Sequence, residues 1–316
     1  MSRESDAKPS LMPYPWQRTQ WQMLTEQIDR ERLPHAILLA GPEYIGKQQF
    51  ALALAARLLC EKPVAGFACG GCKQCHLFTA GSHPDVLQVM PEEAGRAIRI
   101  DPVRELGRFL AKTAFQGGNK VVLINPAEAM NPNAANALLK NLEEPAAGSH
   151  LILVTHELAR LLATVRSRCR RVAFPLPPRG EVGDWLSQVT GKPEQVPELL
   201  TFAGGRPRLA LALLESDLLQ QRRDFDTLLD EVAAGETSPL LAAEQCLSAS
   251  PLMALDWLYQ RVSTGIRSGT RNRSTVLEFR FLDKLLRVKE RLHSSANPNV
   301  NLLWEELMMD WQHLCR

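Results

Sequence analysis

Gly41-Pro-Glu-Tyr-Ile-Gly-Lys-Gln48 has the frame of a phosphate-binding loop, with Gln48 where a Ser or Thr would hold magnesium. The apolar run His35-Ala-Ile-Leu-Leu-Ala40 before it predicts a strand, and Lys47 to Cys60 repeats apolar residues at helical spacing. Strand, loop and helix therefore stand in the order such a loop needs. In a working loop the backbone N–H groups wrap the phosphates, the lysine supplies charge, and the hydroxyl after it binds the metal that neutralises the β- and γ-oxygens. Gln48 offers an amide and no hydroxyl. Gly41, Gly46 and Lys47 are the candidate phosphate ligands of a degenerate loop: nucleotide binding through Lys47 and the backbone stays open, and no Mg2+ is expected there. The alternative is an ordinary strand-to-helix turn that carries a lysine.

Outward from the loop the alternation continues. Val86-Leu-Gln-Val89, Val121-Val-Leu-Ile124 and Leu151-Ile-Leu-Val154 read as strands. Pro13-Tyr-Pro-Trp16 anchors a helix through Leu24 and Ile28. Asp101-Pro102 reads as an N-cap and first-turn proline of a helix to about Ala114, and Asn131-Pro132 as those of a helix that Pro145 ends. Strands separated by helices imply a parallel sheet covered on both faces. Beyond Pro175-Leu-Pro-Pro178 the pattern is helical. Glu181 to Leu214 forms short helices broken by Gly191-Lys-Pro193 and Gly204-Gly-Arg-Pro207. Ser238-Pro239 and Ser250-Pro251 then start long amphipathic stretches, which include Met253 to Ile266, Val276 to Leu292 and Leu302 to Leu314.

Composition bounds the reading. A chain of 316 residues suits two or three domains, and 45% apolar with 23% charged residues is globular composition. The net charge of +2 gives no global attraction to nucleic acid, so any such contact needs a local patch. No apolar run approaches the roughly 18 residues of a membrane span. The polar start Met1 to Ser10 lacks the apolar stretch of a signal peptide, so a cytoplasmic location without membrane contact is expected.

Of 7 cysteines, Cys60, Cys69, Cys72 and Cys75 run C-x8-C-x2-C-x2-C, with Gly70 and Gly71 for a tight turn. Four thiolates at this spacing favour tetrahedral Zn2+, and with no ligand position left for water the metal is expected to be structural. An iron–sulfur cluster is the competing use of four cysteines, and His76 and His83 lie nearby as surface histidines or substitute ligands. A zinc ribbon that binds DNA is a second functional class. Against it, the insert carries only Lys62 and Lys73 as basic residues and Phe67 and Phe78 as aromatics.

A nucleotide hydrolase places Asp-Glu after its buried strand, one carboxylate for magnesium and one to polarise water. Here Val121-Val-Leu-Ile124 is followed by Asn125-Pro126. Glu128, three residues on, reads as a solvated loop residue, and Glu143-Glu144 as structural partners of Lys140. Losses at Gln48 and at Asn125 agree with each other and argue against an autonomous ATPase.

Asn136-Ala-Leu-Leu-Lys-Asn-Leu-Glu-Glu-Pro145 followed by Arg166-Ser-Arg-Cys169 resembles the paired signature of clamp-loader AAA+ proteins, in which Ser167-Arg168-Cys169 is similar to the arginine-finger motif. A four-cysteine module inserted after the phosphate-loop helix, with the altered loop and acidic motif, resembles the subunits of the bacterial DNA polymerase III clamp loader. Tyr14-Pro15-Trp16 and Gly81-Ser-His-Pro-Asp85 fit the same family. The likeness spans about residues 13 to 215, and beyond it only the three-domain plan agrees.

That resemblance implies an α/β fold: an AAA+-type P-loop domain at 13–175 with a four-cysteine zinc module at about 60–81, a helical lid at 176–217 and an all-α collar at 218–316, after a mobile tail at 1–12. It implies a stator without activity of its own that donates Arg168 in trans to the ATP held by a neighbouring motor subunit. Thr155 matches the family's γ-phosphate sensor position and Arg208 a second sensor, although Pro207 departs from the usual pattern. The implied partners are the motor subunits (gamma/tau) and a delta subunit through collar and AAA+ interfaces, and indirectly the sliding clamp and primed DNA. An autonomous AAA+ ATPase and a zinc-ribbon DNA-binding module stay open as other functions.

Overall fold

The computed structural model describes residues 11–315 except 94, 116–117, 216–217, 249, 269–274 and 294–297; residues 1–10 of the expected tail lie outside the described residues. The chain divides into two compact units: Met1–Pro193 with Gly205–Arg208, and Glu194–Gly204 with Leu209–Arg316. No helix among the described residues is long and apolar enough to cross a membrane.

In the first unit the elements are α1 (Arg18–Asp29), β1 (Ala36–Ala40), α2 (Lys47–Leu59), α3 (Lys73–Thr79), β2 (Val86–Val89), α4 (Ile100–Ala111), β3 (Lys120–Ile124), α5 (Pro132–Glu143), β4 (Ser149–Thr155), α6 (Ala163–Arg166), β5 (Arg170–Ala173) and α7 (Arg179–Thr190). The strands pair in parallel in the order β2-β3-β4-β1-β5. Parallel neighbours need crossover connections, and the intervening helices supply them. Alternate strand residues face opposite sides. Ile37, Leu39, Val121, Leu123, Ile152 and Val154 join one apolar cluster with residues of α1 and α2, while Leu38, Val122, Ile124, Leu151 and Leu153 join another with residues of α4 and α5. Both faces are dry, which is why β1, β3 and β4 read as continuous apolar runs.

Two elements depart from the sequence reading. Helix α4 starts at Ile100 with Arg99 as N-cap and ends at Ala111, so Asp101 and Pro102 lie inside its first turn. Proline is tolerated there because the first N–H groups of a helix have no intrahelical acceptor. Strand β5 has only Val172 buried among four residues, and so gives no apolar run.

The second unit is helical: α8 (Val196–Phe202), α9 (Pro207–Glu215, whose first two residues fall in the first unit), α10 (Leu218–Ala234), α11 (Pro239–Ser248), α12 (Pro251–Ser268), α13 (Thr275–His293) and α14 (Val300–Cys315). Trp257, Trp304 and Trp311 are fully buried in its core, and Trp311 Nε1 donates to Leu229 O at 2.9 Å. Ser238 caps α11 by accepting from Leu241 N at 3.3 Å.

Candidate functional site

The phosphate-loop frame sits between β1 and α2, at the carboxyl ends of the parallel strands, where open α/β sheets bind ligands. Gly41 passes so close to β5 that a Cβ there would lie 2.0 Å from Phe174 O. Gly46 has φ 86°, the left-handed region that favours glycine, and its added Cβ would meet the Tyr14 ring at 2.3 Å. Lys47 is 2% exposed; its ammonium donates to Gly41 O at 2.7 Å and to Pro42 O.

The loop is strapped from the N-terminal side. Trp16 Nε1 and Gln17 Nε2 both donate to Ile45 O, at 3.0 and 3.1 Å, and Gln17 Oε1 accepts from Tyr14 N at 3.0 Å. Tyr14 stacks on Trp16 with centroids 4.7 Å apart, and Trp185 of α7 meets both rings edge-on. In the linear chain Tyr14 and Trp16 showed no role in the loop, because the contact spans about thirty residues and no local pattern marks it.

The positions that would hold magnesium are occupied by amides bonded to each other: Asn125 Nδ2 donates to Gln48 Oε1 at 3.0 Å. Neutral amides in such a pair are a poor donor set for an ion that prefers carboxylate and water oxygens in octahedral array. Glu128 is not solvated as expected. Its Oε1 accepts from His156 N at 2.8 Å and Glu157 N at 3.2 Å, closing the turn after β4. Thr155, at the end of β4, is completely buried with no partner for its hydroxyl among the described residues, and its carbonyl accepts from Gly41 N at 3.3 Å. Burial, and secondarily the Lys47 charge, hold His156 down to about 3, so it is neutral. Arg208 lies in the first turn of α9, half-buried, and its backbone N donates to Tyr44 O of the loop at 3.0 Å.

Arg168 is exposed, just after α6. Its Nε donates to Glu143 Oε1 at 2.8 Å, its Nη2 lies 2.6 Å from the same oxygen, and its Nη1 donates to Thr164 O at 3.0 Å. Glu143 is thus paired across 25 residues with Arg168, where the sequence pointed to Lys140. The neighbouring Cys169 thiol is pushed up to about 12 by burial and is inert as a nucleophile.

The four sulfurs of Cys60, Cys69, Cys72 and Cys75 lie within 4.8 Å of one another. Zn–S bonds of about 2.3 Å in a tetrahedron put sulfurs about 3.8 Å apart, and Cys69 and Cys75 stand at 4.0 Å. Backbone N–H groups already point at the sulfurs: Cys69 N to Cys60 at 3.2 Å, Cys72 N to Cys69 at 3.3 Å and Cys75 N to Cys72 at 3.5 Å. Donors from Gly71 and then Cys72 hold the Cys69 thiol down to about 7, toward the thiolate a metal needs, whereas burial pushes the Cys60 and Cys75 thiols up. The cluster can hold one zinc ion. His83 is buried rather than superficial, and its Nδ1 accepts from Asp85 N at 3.1 Å. Phe67 stacks on Trp21 of α1 at 5.3 Å and Phe78 is buried, so neither aromatic is free to stack on a base.

A family model described as "DNA polymerase III, delta subunit" matches residues 16–178. The DNA polymerase III subunit delta' of Pseudomonas aeruginosa is 39% identical over 95% of this chain and 98% of its own. That of Escherichia coli K12 is 38% identical over 73% of this chain and 70% of its own. A solved structure of a DNA polymerase III gamma subunit-related protein from Thermotoga maritima superposes with a TM-score of 0.51 at 21% identity, covering 94% of this chain and all of that one, which supports the fold. The motif resemblance to the clamp-loader subunits, and within them to delta-prime, agrees with these relatives.

Proposed function

The chain belongs to the DNA polymerase III subunit delta' family, with an AAA+-type fold, and from that premise we propose that it is the non-hydrolysing stator of a clamp loader. In this reading it assembles with gamma/tau motor subunits and a delta subunit, and supports ATP-driven placement of the sliding clamp on primed DNA in the bacterial cytoplasm. Its residues 218–316 form the collar that holds the ring, 176–217 the lid and 13–175 the AAA+ domain. Arg168 acts in trans on ATP bound by the adjacent motor subunit. The observation that carries the non-hydrolysing role is the Asn125–Gln48 hydrogen bond, which consumes the two positions a magnesium ion would need.

The chemistry follows from what this chain has and lacks. Gly41, Gly46 and Lys47 keep the shape of a phosphate cradle, with Thr155 and Arg208 at its edges. Without a metal ligand or a carboxylate aimed at water, this cradle lacks the groups that activate a nucleophile and neutralise the leaving oxygens. Arg168 is different, because an exposed guanidinium beside a subunit interface can stabilise charge on a phosphoryl group held by another chain. Such a finger is worth about 10³ to 10⁵ in rate. The zinc held by Cys60, Cys69, Cys72 and Cys75 would cross-link the insert onto α2 and supply no chemistry.

The test is clamp loading on primed DNA with loaders assembled with and without this chain, next to ATP turnover by the chain alone. The reading expects loading to need the chain and the chain alone to be silent. Turnover by the chain alone would favour the autonomous ATPase.

A further inference from the structure

The two edges of the Arg168 guanidinium are used differently. The side edge, formed by Nε–H and Nη2–H, is turned to one carboxylate oxygen of Glu143, at 2.8 and 2.6 Å. Nη1 donates backward to Thr164 O at 3.0 Å, in the helix that precedes it, and makes a longer contact of 3.5 Å with the Ser167 hydroxyl, which a phosphate oxygen would have to displace if it uses the same hydrogen. An arginine carries five N–H donors in a fixed plane. Engaging the side edge fixes that plane and directs the end edge, one hydrogen each on Nη1 and Nη2, away from Glu143, where the only contacts are those of Nη1 with Thr164 O and the Ser167 hydroxyl among the described residues. That end edge is a fork matched in geometry to two phosphate oxygens.

Glu143 is well placed to hold this plane. It is the last residue of α5, whose apolar side is locked into the core through Ala134, Ala135, Leu138 and Leu142, and Asn131 caps the helix start with Ala134 N at 2.8 Å. Arg168 follows α6, which is anchored by the buried Val165. The carboxylate therefore ties a long, freely rotating side chain to a rigid element. An exposed pair of this kind adds little to stability, so its main effect is on where the guanidinium sits.

We propose that Glu143 is a positioning residue that orients Arg168 for the phosphoryl group of the neighbouring subunit, binding the side edge while the phosphate takes the end edge. The inference rests on Arg168 acting in trans. Because side-on and end-on contacts use different hydrogens, Glu143 stays bound during reaction and does not compete with the phosphate. Preorganisation of this kind is lost steeply with displacement: about 1 Å of misplacement can cost 10²-fold.

The experiment is a double-mutant cycle in the reconstituted loader with clamp and primed DNA, using Arg168→Ala, Glu143→Ala, Glu143→Gln and the double alanine variant. The quantities read are kcat and KM for ATP and the melting temperature of each chain. The inference expects Glu143→Ala to remove at least about nine-tenths of the Arg168-dependent turnover, with KM unchanged, and Glu143→Gln to recover part of it. In the Arg168→Ala background Glu143→Ala should have no further effect. Should the alanine variant melt early, the Gln variant carries the cycle, since it keeps the length and an acceptor oxygen. If Glu143→Ala leaves turnover intact while Arg168→Ala slows it, or is equally harmful in both backgrounds, positioning is wrong and the finger stands. If Arg168→Ala changes nothing, both readings fall.

Discussion

Gln48 and Asn125, 77 residues apart, are joined side chain to side chain, with Asn125 Nδ2 3.0 Å from Gln48 Oε1. Each substitution alone would weaken a metal site. Together they replace it with a neutral amide-to-amide hydrogen bond, in which Asn125 Oδ1 stays buried without a partner among the described residues. Restoring both groups, Gln48→Thr with Asn125→Asp, should therefore create magnesium-dependent affinity for a fluorescent ATP analogue that the natural chain lacks. Gln48→Thr alone should lower stability by about 0.5–1.5 kcal/mol through the broken hydrogen bond, read as a shift in the denaturant midpoint, whereas with Asn125→Asp alone the Gln48 amide can turn over and donate to the new carboxylate. Equal nucleotide affinity with and without Mg2+ in the double variant would count against a pure ligand-loss account.

Gly46 and Tyr14 should be coupled. Gly46→Ala puts a methyl 2.3 Å from the Tyr14 ring at φ 86°, so it should cost more than the roughly 1 kcal/mol of the backbone strain alone. Tyr14→Ala should relieve the clash but not the strain. A non-zero interaction energy in denaturation is the expected signature, and strict additivity would mean that the strap does not press on the loop.

Zinc should be structural. One ion per chain is expected by metal analysis, and Cys72→Ser or prolonged chelation should lower the melting temperature of the chain by about 4–8 °C, as a loss of roughly 2 kcal/mol would do. Acid should release the ion, because protons compete for the thiolates. A chain that melts identically with and without metal would contradict this.

His156 should shape the acid limb. Its pKa in the fold, about 3, lies below the ordinary 6.5 through burial and then Lys47. The unfolded chain therefore binds the extra proton first, and stability contributed by the neutral ring is intact above pH 6.5 and lost as pH falls toward 3. Each unit is worth about 1.4 kcal/mol. His156→Gln should flatten the fall in unfolding free energy across that window; an unchanged slope would place the acid sensitivity elsewhere.

Much of this site was legible in the linear chain because its parts are local. The strand-loop-helix around Lys47 and the four cysteines from Cys60 to Cys75 each carry their chemistry within a short stretch. Pairings across long separations were not. That Asn125 meets Gln48, that Glu128 closes the turn at His156, and that Glu143 pairs with Arg168 all depend on how the elements are arranged in space, which periodicity does not encode. Strand β5 escaped because Arg170-Arg-Val-Ala173 buries one side chain at the sheet edge. His83 looked superficial beside the cysteines, yet the fold buries it over Asp85 N.

The central claim is that this chain supplies an arginine and no hydrolysis. Steady-state ATP turnover by the reconstituted loader, with clamp and primed DNA, tests it most directly when Arg168→Ala is compared with the natural chain. The account predicts a clear fall in turnover with assembly and ATP affinity preserved. Turnover equal to that of the natural chain would contradict it.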